Sequence, residues 1–116
     1  MWDYLKVTLL YINILFRSYG YNGDGKILHD KQKGDLYGPK FKNKEIIGCG
    51  YYYSKNSIFY TCNGKFLGFA FKNVEYINYY PTISLHSLNE KVCVNFGKKP
   101  FVFDLEGFYI VRNRHI

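Results

Sequence analysis

The sequence predicts an all-β protein built as an antiparallel β-sandwich. Three observations predict it: a heavy load of Tyr and Phe, a series of short apolar runs broken by Gly, and an Asn-Gly hairpin signal. Aromatics make up 21% of the 116 residues, led by 13 Tyr and 10 Phe, side chains that suit a pleated, half-buried surface. A chain this long buries roughly 60–70% of its unfolded surface, enough for one core.

The elements follow in order. Tyr4 to Phe16 is an apolar leader. It contains Lys6 and Asn13 and runs about 13 residues, short of the roughly 20 that a spanning helix needs, so a buried strand or helix is expected there rather than a membrane anchor. It is not read as a signal peptide, because Asp3 replaces the expected positive charge and no small-residue cleavage site follows. Ser18–Gly25 (SYGYNGDG) supplies Gly, Asn and Asp for tight turns, and a Lys-rich loop is expected from there to Tyr37-Gly38-Pro39. Ile46–Tyr53 reads as a buried strand in which Gly48 and Gly50 permit close backbone approach. A turn at Ser54–Ser57 leads to a strand over Ile58–Cys62. Asn63-Gly64 is the type I′ hairpin signal, and Phe66–Phe71 returns as the next strand. Thr82–His86 and Lys91–Phe96 are expected to pair across a Ser87–Glu90 turn, with Val92, Val94 and Phe96 alternating against Lys91, Cys93 and Asn95. Short strands at this spacing, with no helical pattern after residue 17, mean a sandwich or a barrel.

The formal charge of +7 raises a nucleic-acid-binding β-domain as the alternative function. The basic residues are 13 Lys and only 3 Arg, whereas bidentate phosphate and base contacts favour Arg. The densest basic stretch, Lys26–Lys44, also carries Asp30 and Asp35 and reads as a solvated loop face. Cys49, Cys62 and Cys93 form an odd set without C-x-x-C spacing, against a zinc site and against a disulfide framework. Cys49 and Cys93 are expected as small buried hydrophobes. Reduced thiols and the missing export signal place the chain in the cytoplasm or nucleus.

No catalytic set emerges, and no cofactor, metal or small-molecule substrate is expected. A Cys62–His86 nucleophile pair would have to be assembled from loops, with nothing to mark the thiol as activated. His29-Asp30 are adjacent in an extended segment, where neighbouring side chains point to opposite faces. Asp104 and Glu106 share a face if extended, but nothing in the sequence indicates a cleft, and charged residues at a chain end are the better account. The glycines of Gly20–Gly25 do not follow a strand and open a helix, so they are no phosphate loop.

Six segments in one order carry a resemblance: SYGYNGDG at 18–25, LYGPKF at 36–41, EIIGCG at 45–50, FYTCNGKFLGFAF at 59–71, YYPTISLHS at 79–87 and VNFGKKPFVFDLE at 94–106. Together they resemble the SPRY domain, in the version found in the Ran-binding protein of the microtubule-organising centre (RanBPM) group. The resemblance implies a bent, concanavalin-like jelly-roll sandwich with no enzymatic role, recognising a protein or extended peptide through loops. It also implies a substrate receptor or scaffold in a ubiquitin ligase pathway.

The resemblance divides the chain into a non-family leader (1–17), the C-terminal part of a SPRY domain (18–107) and a tail (108–116). Family members have further strands before the SYGY segment, and the 17 residues here match none of them, so the sandwich is expected to be incomplete at its N-terminus, and a truncated fragment with no independent function is a further alternative. A translated intron after a false start at Met1 would account for the leader, and transcript sequencing checks this. The family's peptide contacts, carried over residue by residue, fall on Tyr21, Asn22, Asp24, Leu28, His86, Ser87 and Leu88. Tyr21 reads equally well as a core tyrosine, and His86-Ser87 as an ordinary polar turn. Family members with studied ligands have an aromatic where this chain has Leu-His-Ser, so ligand preference does not transfer.

Overall fold

The computed structural model describes residues 7–12, 18–30, 34–41, 45–75, 79–85, 93–95, 97–105 and 108. Its strands are β1 (Val7–Ile12), β2 (Ser18–Asn22), β3 (Lys26–His29), β4 (Asp35–Leu36), β5 (Ile47–Tyr52), β6 (Ser57–Cys62), β7 (Lys65–Phe71) and β8 (Tyr80–Leu85). They form two antiparallel sheets, one of five strands in the order β4-β3-β2-β1-β8 and one of three in the order β5-β6-β7. Strand period 2 explains the sandwich: Tyr19 and Tyr21 alternate with Gly20 and Asn22 along β2, and Ile58 and Tyr60 alternate with Phe59 and Thr61 along β6. The core is one cluster from both sheets and the segments beside them, with Tyr19, Tyr21, Phe41, Ile58, Tyr60 and Val74 buried. Each side chain fully buried in this way contributes roughly 1.5–3 kcal/mol.

The three-stranded sheet follows the sequence closely. Asn63 and Gly64 have φ of 51° and 84°, the left-handed pair that a type I′ turn needs. Asn63 is held on both sides: its N–H donates to the Ile46 carbonyl at 2.7 Å, and its Oδ1 accepts from the Ile46 N–H at 2.9 Å. Gly50 is in register with Phe59, and a Cβ on Gly50 would stand 2.2 Å from the Phe59 ring. The glycine is the space the ring occupies. Phe59 also meets Phe66, Phe69, Phe103 and Phe108 with ring centroids 5.0 to 6.2 Å apart, so Phe103 and Phe108 pack on the three-stranded sheet.

The structure corrects the sequence reading at Ser18–Asn22, Lys26–His29 and Lys91–Phe96, and bears out a strand within the leader. Ser18–Asn22 and Lys26–His29 are strands, where turns and a Lys-rich loop are expected. Their ladder pairs Tyr19 with His29 and Tyr21 with Ile27. The leader forms β1, which pairs with β2 on one side and along all six residues of β8 on the other. The strand expected over Lys91–Phe96 is not seen in its described part: Cys93–Asn95 is exposed and outside any strand. Alternation sets which side chains share a face but not which strand pairs with which, and β8 takes its partner from the other end of the chain. Cys93 is therefore exposed rather than a buried hydrophobe, while Cys49 and Cys62 are half-buried. No helix among the described residues is long and apolar enough to cross a membrane.

Candidate recognition site

The β2–β3 turn is built from Asn22, Gly23, Asp24 and Gly25. Gly25 adopts φ of 87°, a conformation glycine reaches without steric cost, and its N–H donates to the Asn22 carbonyl at 3.0 Å. Asp24 Oδ1 accepts the Lys26 N–H at 3.1 Å, closing the turn from its own side chain. The 37–41 segment then lies against it. Tyr37 and Gly38 both donate their N–H to the Gly25 carbonyl at 3.1 Å, and Phe41 donates to the Gly23 carbonyl at 3.1 Å. A Cβ on Gly25 would come within 2.7 Å of the Gly38 oxygen.

Tyr21 belongs to the core. It is 0% exposed, it packs edge-on against Tyr37 and Phe41, and its hydroxyl donates to the Pro39 carbonyl. Burial, and after it the neighbouring Cys62, Tyr37 and Glu45, raise its pKa well above the ordinary phenol value. Direct contact between Tyr21 and a partner gives way to a core role, because the alternation that puts Asn22 on the other face turns Tyr21 inward. Asn22, Asp24 and Leu28 are half-buried. Leu28 is in register with Gly20, so it shares the outer face of the hairpin with Asn22.

His86, Ser87 and Leu88 lie outside the described residues. The backbone before them is informative. Thr8 is opposite both Asn22 and Ser84, and Val7 is opposite Leu85. β8 thus ends beside the β2–β3 turn, with only β1 between them, about 10 Å across at the usual strand spacing.

Tyr37 is the residue that sequence reasoning missed. Between Phe59 and Thr61 the β6–β7 ladder shifts register, and Gly68 in β7 takes φ of 103°. The Tyr37 hydroxyl enters this bulge, donating to the Gly68 carbonyl at 2.6 Å and accepting the Tyr60 N–H at 3.3 Å. Burial pushes its pKa up to about 12, with Cys49 adding to the rise and the Tyr60 N–H opposing it. The signal was a Tyr directly before Gly-Pro, which marks the chain direction but not what the ring reaches.

The catalytic readings gain little. Burial, and then Glu45, push the Cys62 thiol up, the opposite of an activated nucleophile. His29 and Asp30 do meet, with Nε2 3.4 Å from Oδ2. The expectation of opposite faces fails because Asp30 has φ of 55° and is not extended. Their groups are also engaged in structure: His29 Nδ1 lies 3.0 Å from the Ser18 carbonyl, the ring stacks on Tyr19, and Asp30 Oδ1 accepts the Ser18 N–H. Near Asp104 the chain turns, with Phe108 N–H donating to the Asp104 carbonyl, and Glu106 lies outside the described residues. No cluster of metal-ligating side chains occurs among the described residues.

The SPRY domain family profile matches residues 15–99, so β1 stands upstream of the match. Ran-binding protein 9 of Homo sapiens is 45% identical over 92 residues, covering 78% of this chain and 12% of that protein. The Ran-binding protein M homolog of Arabidopsis thaliana is 42% identical over 92 residues, 78% of this chain and 20% of that protein. The dual specificity protein kinase splA of Dictyostelium discoideum is 43% identical over 79 residues, 68% of this chain but 3% of that protein. The chain spans about a fifth or less of the length of these curated relatives. A β-sandwich with these motifs, matched over most of its length, belongs to the SPRY family of protein-interaction domains and is of the Ran-binding protein M type.

Proposed function

We propose that the chain receives an extended segment of a partner protein at the end of the five-stranded sheet where the β2–β3 turn and the exit of β8 lie side by side. Asn22, Asp24 and Leu28 from the hairpin, together with His86, Ser87 and Leu88, form the contact set, and Tyr21 supports it from below. In this reading the chain is non-catalytic. It serves in the cytoplasm or nucleus as a substrate receptor or scaffold of a ubiquitin ligase pathway. The observation that carries the proposal is the register Asn22–Thr8–Ser84, which brings two segments about 60 residues apart in sequence to one sheet end. Amide, carboxylate and hydroxyl groups around an aliphatic side chain suit an extended backbone with alternating side chains.

The test is a photo-crosslinking residue placed at Asp24, at Leu88 or, as a control, at Lys55, which is exposed between β5 and β6. Labelling of the same proteins from positions 24 and 88, absent from 55 and reduced by Leu28→Ala, supports the reading. Equal labelling from position 55, or none from 24 and 88, defeats it. Recovery of ligase subunits among the labelled proteins decides the pathway part.

A further inference from the structure

We infer that Tyr37 is a positioning residue for the recognition turn, holding Asn22–Gly25 in place from the opposite sheet. The chain of contacts is continuous. The Tyr37 hydroxyl bridges the β6–β7 bulge through the Gly68 carbonyl and the Tyr60 N–H. Its backbone N–H, with that of Gly38, holds the Gly25 carbonyl. Phe41 N–H holds Gly23, and Pro39 accepts the Tyr21 hydroxyl. Every link is polar and directional, so the turn is held at a fixed height over the three-stranded sheet rather than merely resting on it.

The two ends of this chain explain each other. At the bulge, where the β6–β7 register shifts, the Tyr37 hydroxyl bonds both the Tyr60 N–H and the Gly68 carbonyl, polar groups that need partners once buried. At the turn, the Gly23 and Gly25 carbonyls project from a hairpin whose two-strand ladder is only three pairs long. One segment, 37–41, satisfies both. Space is tight on each side: a Cβ on Gly38 would lie 2.7 Å from the Tyr21 hydroxyl. A turn with few bonds of its own keeps a binding geometry only if something rigid holds it.

The test compares Tyr37→Phe with Tyr51→Phe, which removes a different tyrosine hydroxyl bond, the one to Asn56 at 3.0 Å. Amide hydrogen exchange is followed in both. Tyr37→Phe is expected to speed exchange of the Gly38, Phe41 and Tyr37 amides by about tenfold over Tyr51→Phe, with the β5–β6 ladder unchanged. Equal acceleration everywhere, or none at these amides, overturns the inference. If Tyr37→Phe does not fold, the unsubstituted chain decides. Its Tyr60, Gly38 and Phe41 amides are expected to open together as denaturant rises, and independent opening overturns the inference. The binding arm rests on the proposed function. Tyr37→Phe should lower crosslinking from position 24 several-fold and leave position 88 nearly unchanged. Altered exchange with no partner labelling at all would retain the positioning role and remove the recognition reading.

Discussion

The two sheets are assembled in opposite ways. The three-stranded sheet is a meander of consecutive segments, β5-β6-β7, closed by a 3-10 turn at Tyr53–Lys55 and by Asn63-Gly64. The five-stranded sheet draws β1, the β2–β3–β4 stretch and β8 from three separate parts of the chain. Its turn at Gly23–Gly25 is held by the 37–41 segment rather than by its own ladder alone. Local pairing closes small loops and forms at low entropic cost, whereas the β1–β8 pair must close a loop of about 70 residues before any bond rewards it. The self-sufficient sheet is the platform, and the composite one carries the candidate site.

The largest expected effect comes from breaking the composite sheet at its centre. Leu10 pairs with Gly20 and with Thr82, and proline there removes a ladder bond in a strand with neighbours on both sides. Leu10→Pro should abolish the cooperative transition in thermal circular dichroism. A normal transition would show that β1 does not stabilise the sandwich. Gly25→Ala comes next, at about 3 kcal/mol, from the left-handed backbone and the collision with the Gly38 oxygen. Urea unfolding measures it. A loss under about 1 kcal/mol would mean that the 37–41 segment yields freely.

Tyr37→Phe removes the hydroxyl's bonds to the Tyr60 N–H and the Gly68 carbonyl and should cost about 2 kcal/mol in the same assay. It has a pH signature. Tyr37 titrates near 10 when unfolded and is pushed up to about 12 when folded, so its stabilising contribution is intact below pH 10 and disappears as pH rises from 10 to 12. Tyr21 and Tyr79 are raised as well. The alkaline loss of stability should therefore shrink in Tyr37→Phe without vanishing, and an unchanged pH profile would contradict the assignment. The smallest effect belongs to the local turn. Asn63→Gly keeps the left-handed backbone and loses the bond to Ile46, a change of about 1 kcal/mol, expected to leave crosslinking from position 24 untouched.

Legibility followed the same division. β5, β6 and β7 were readable to within one residue at each end because alternation, β-branched and aromatic content and the Asn-Gly turn all lie within 25 consecutive residues. β2 was missed because its Gly and Asn residues look like turn formers. In the folded chain Tyr19 and Tyr21 face the core, while Gly20 lies between Leu10 and Leu28 in register. The SYGYNGDG segment and the ILHD run after it offered Asn22, Asp24 and Leu28 as candidates, whereas the inward direction of Tyr21 was left open. Whether a tyrosine one residue from a polar turn points in or out depends on the register with β1 and β3.

The sequence by itself determined the strand-forming segments, the type I′ turn, the all-β class and the family resemblance, because propensity, period and motif are properties of neighbouring residues. Only the tertiary structure decided that the leader lies between β2 and β8, that Tyr21 is core and that Tyr37 spans both sheets. Those outcomes turn on which strand pairs with which and on the hydroxyl bonds that Tyr37 makes at one bulge. The decisive contacts join distant residues, such as Val7 with Leu85 and Tyr37 with Gly68, and no local pattern encodes them.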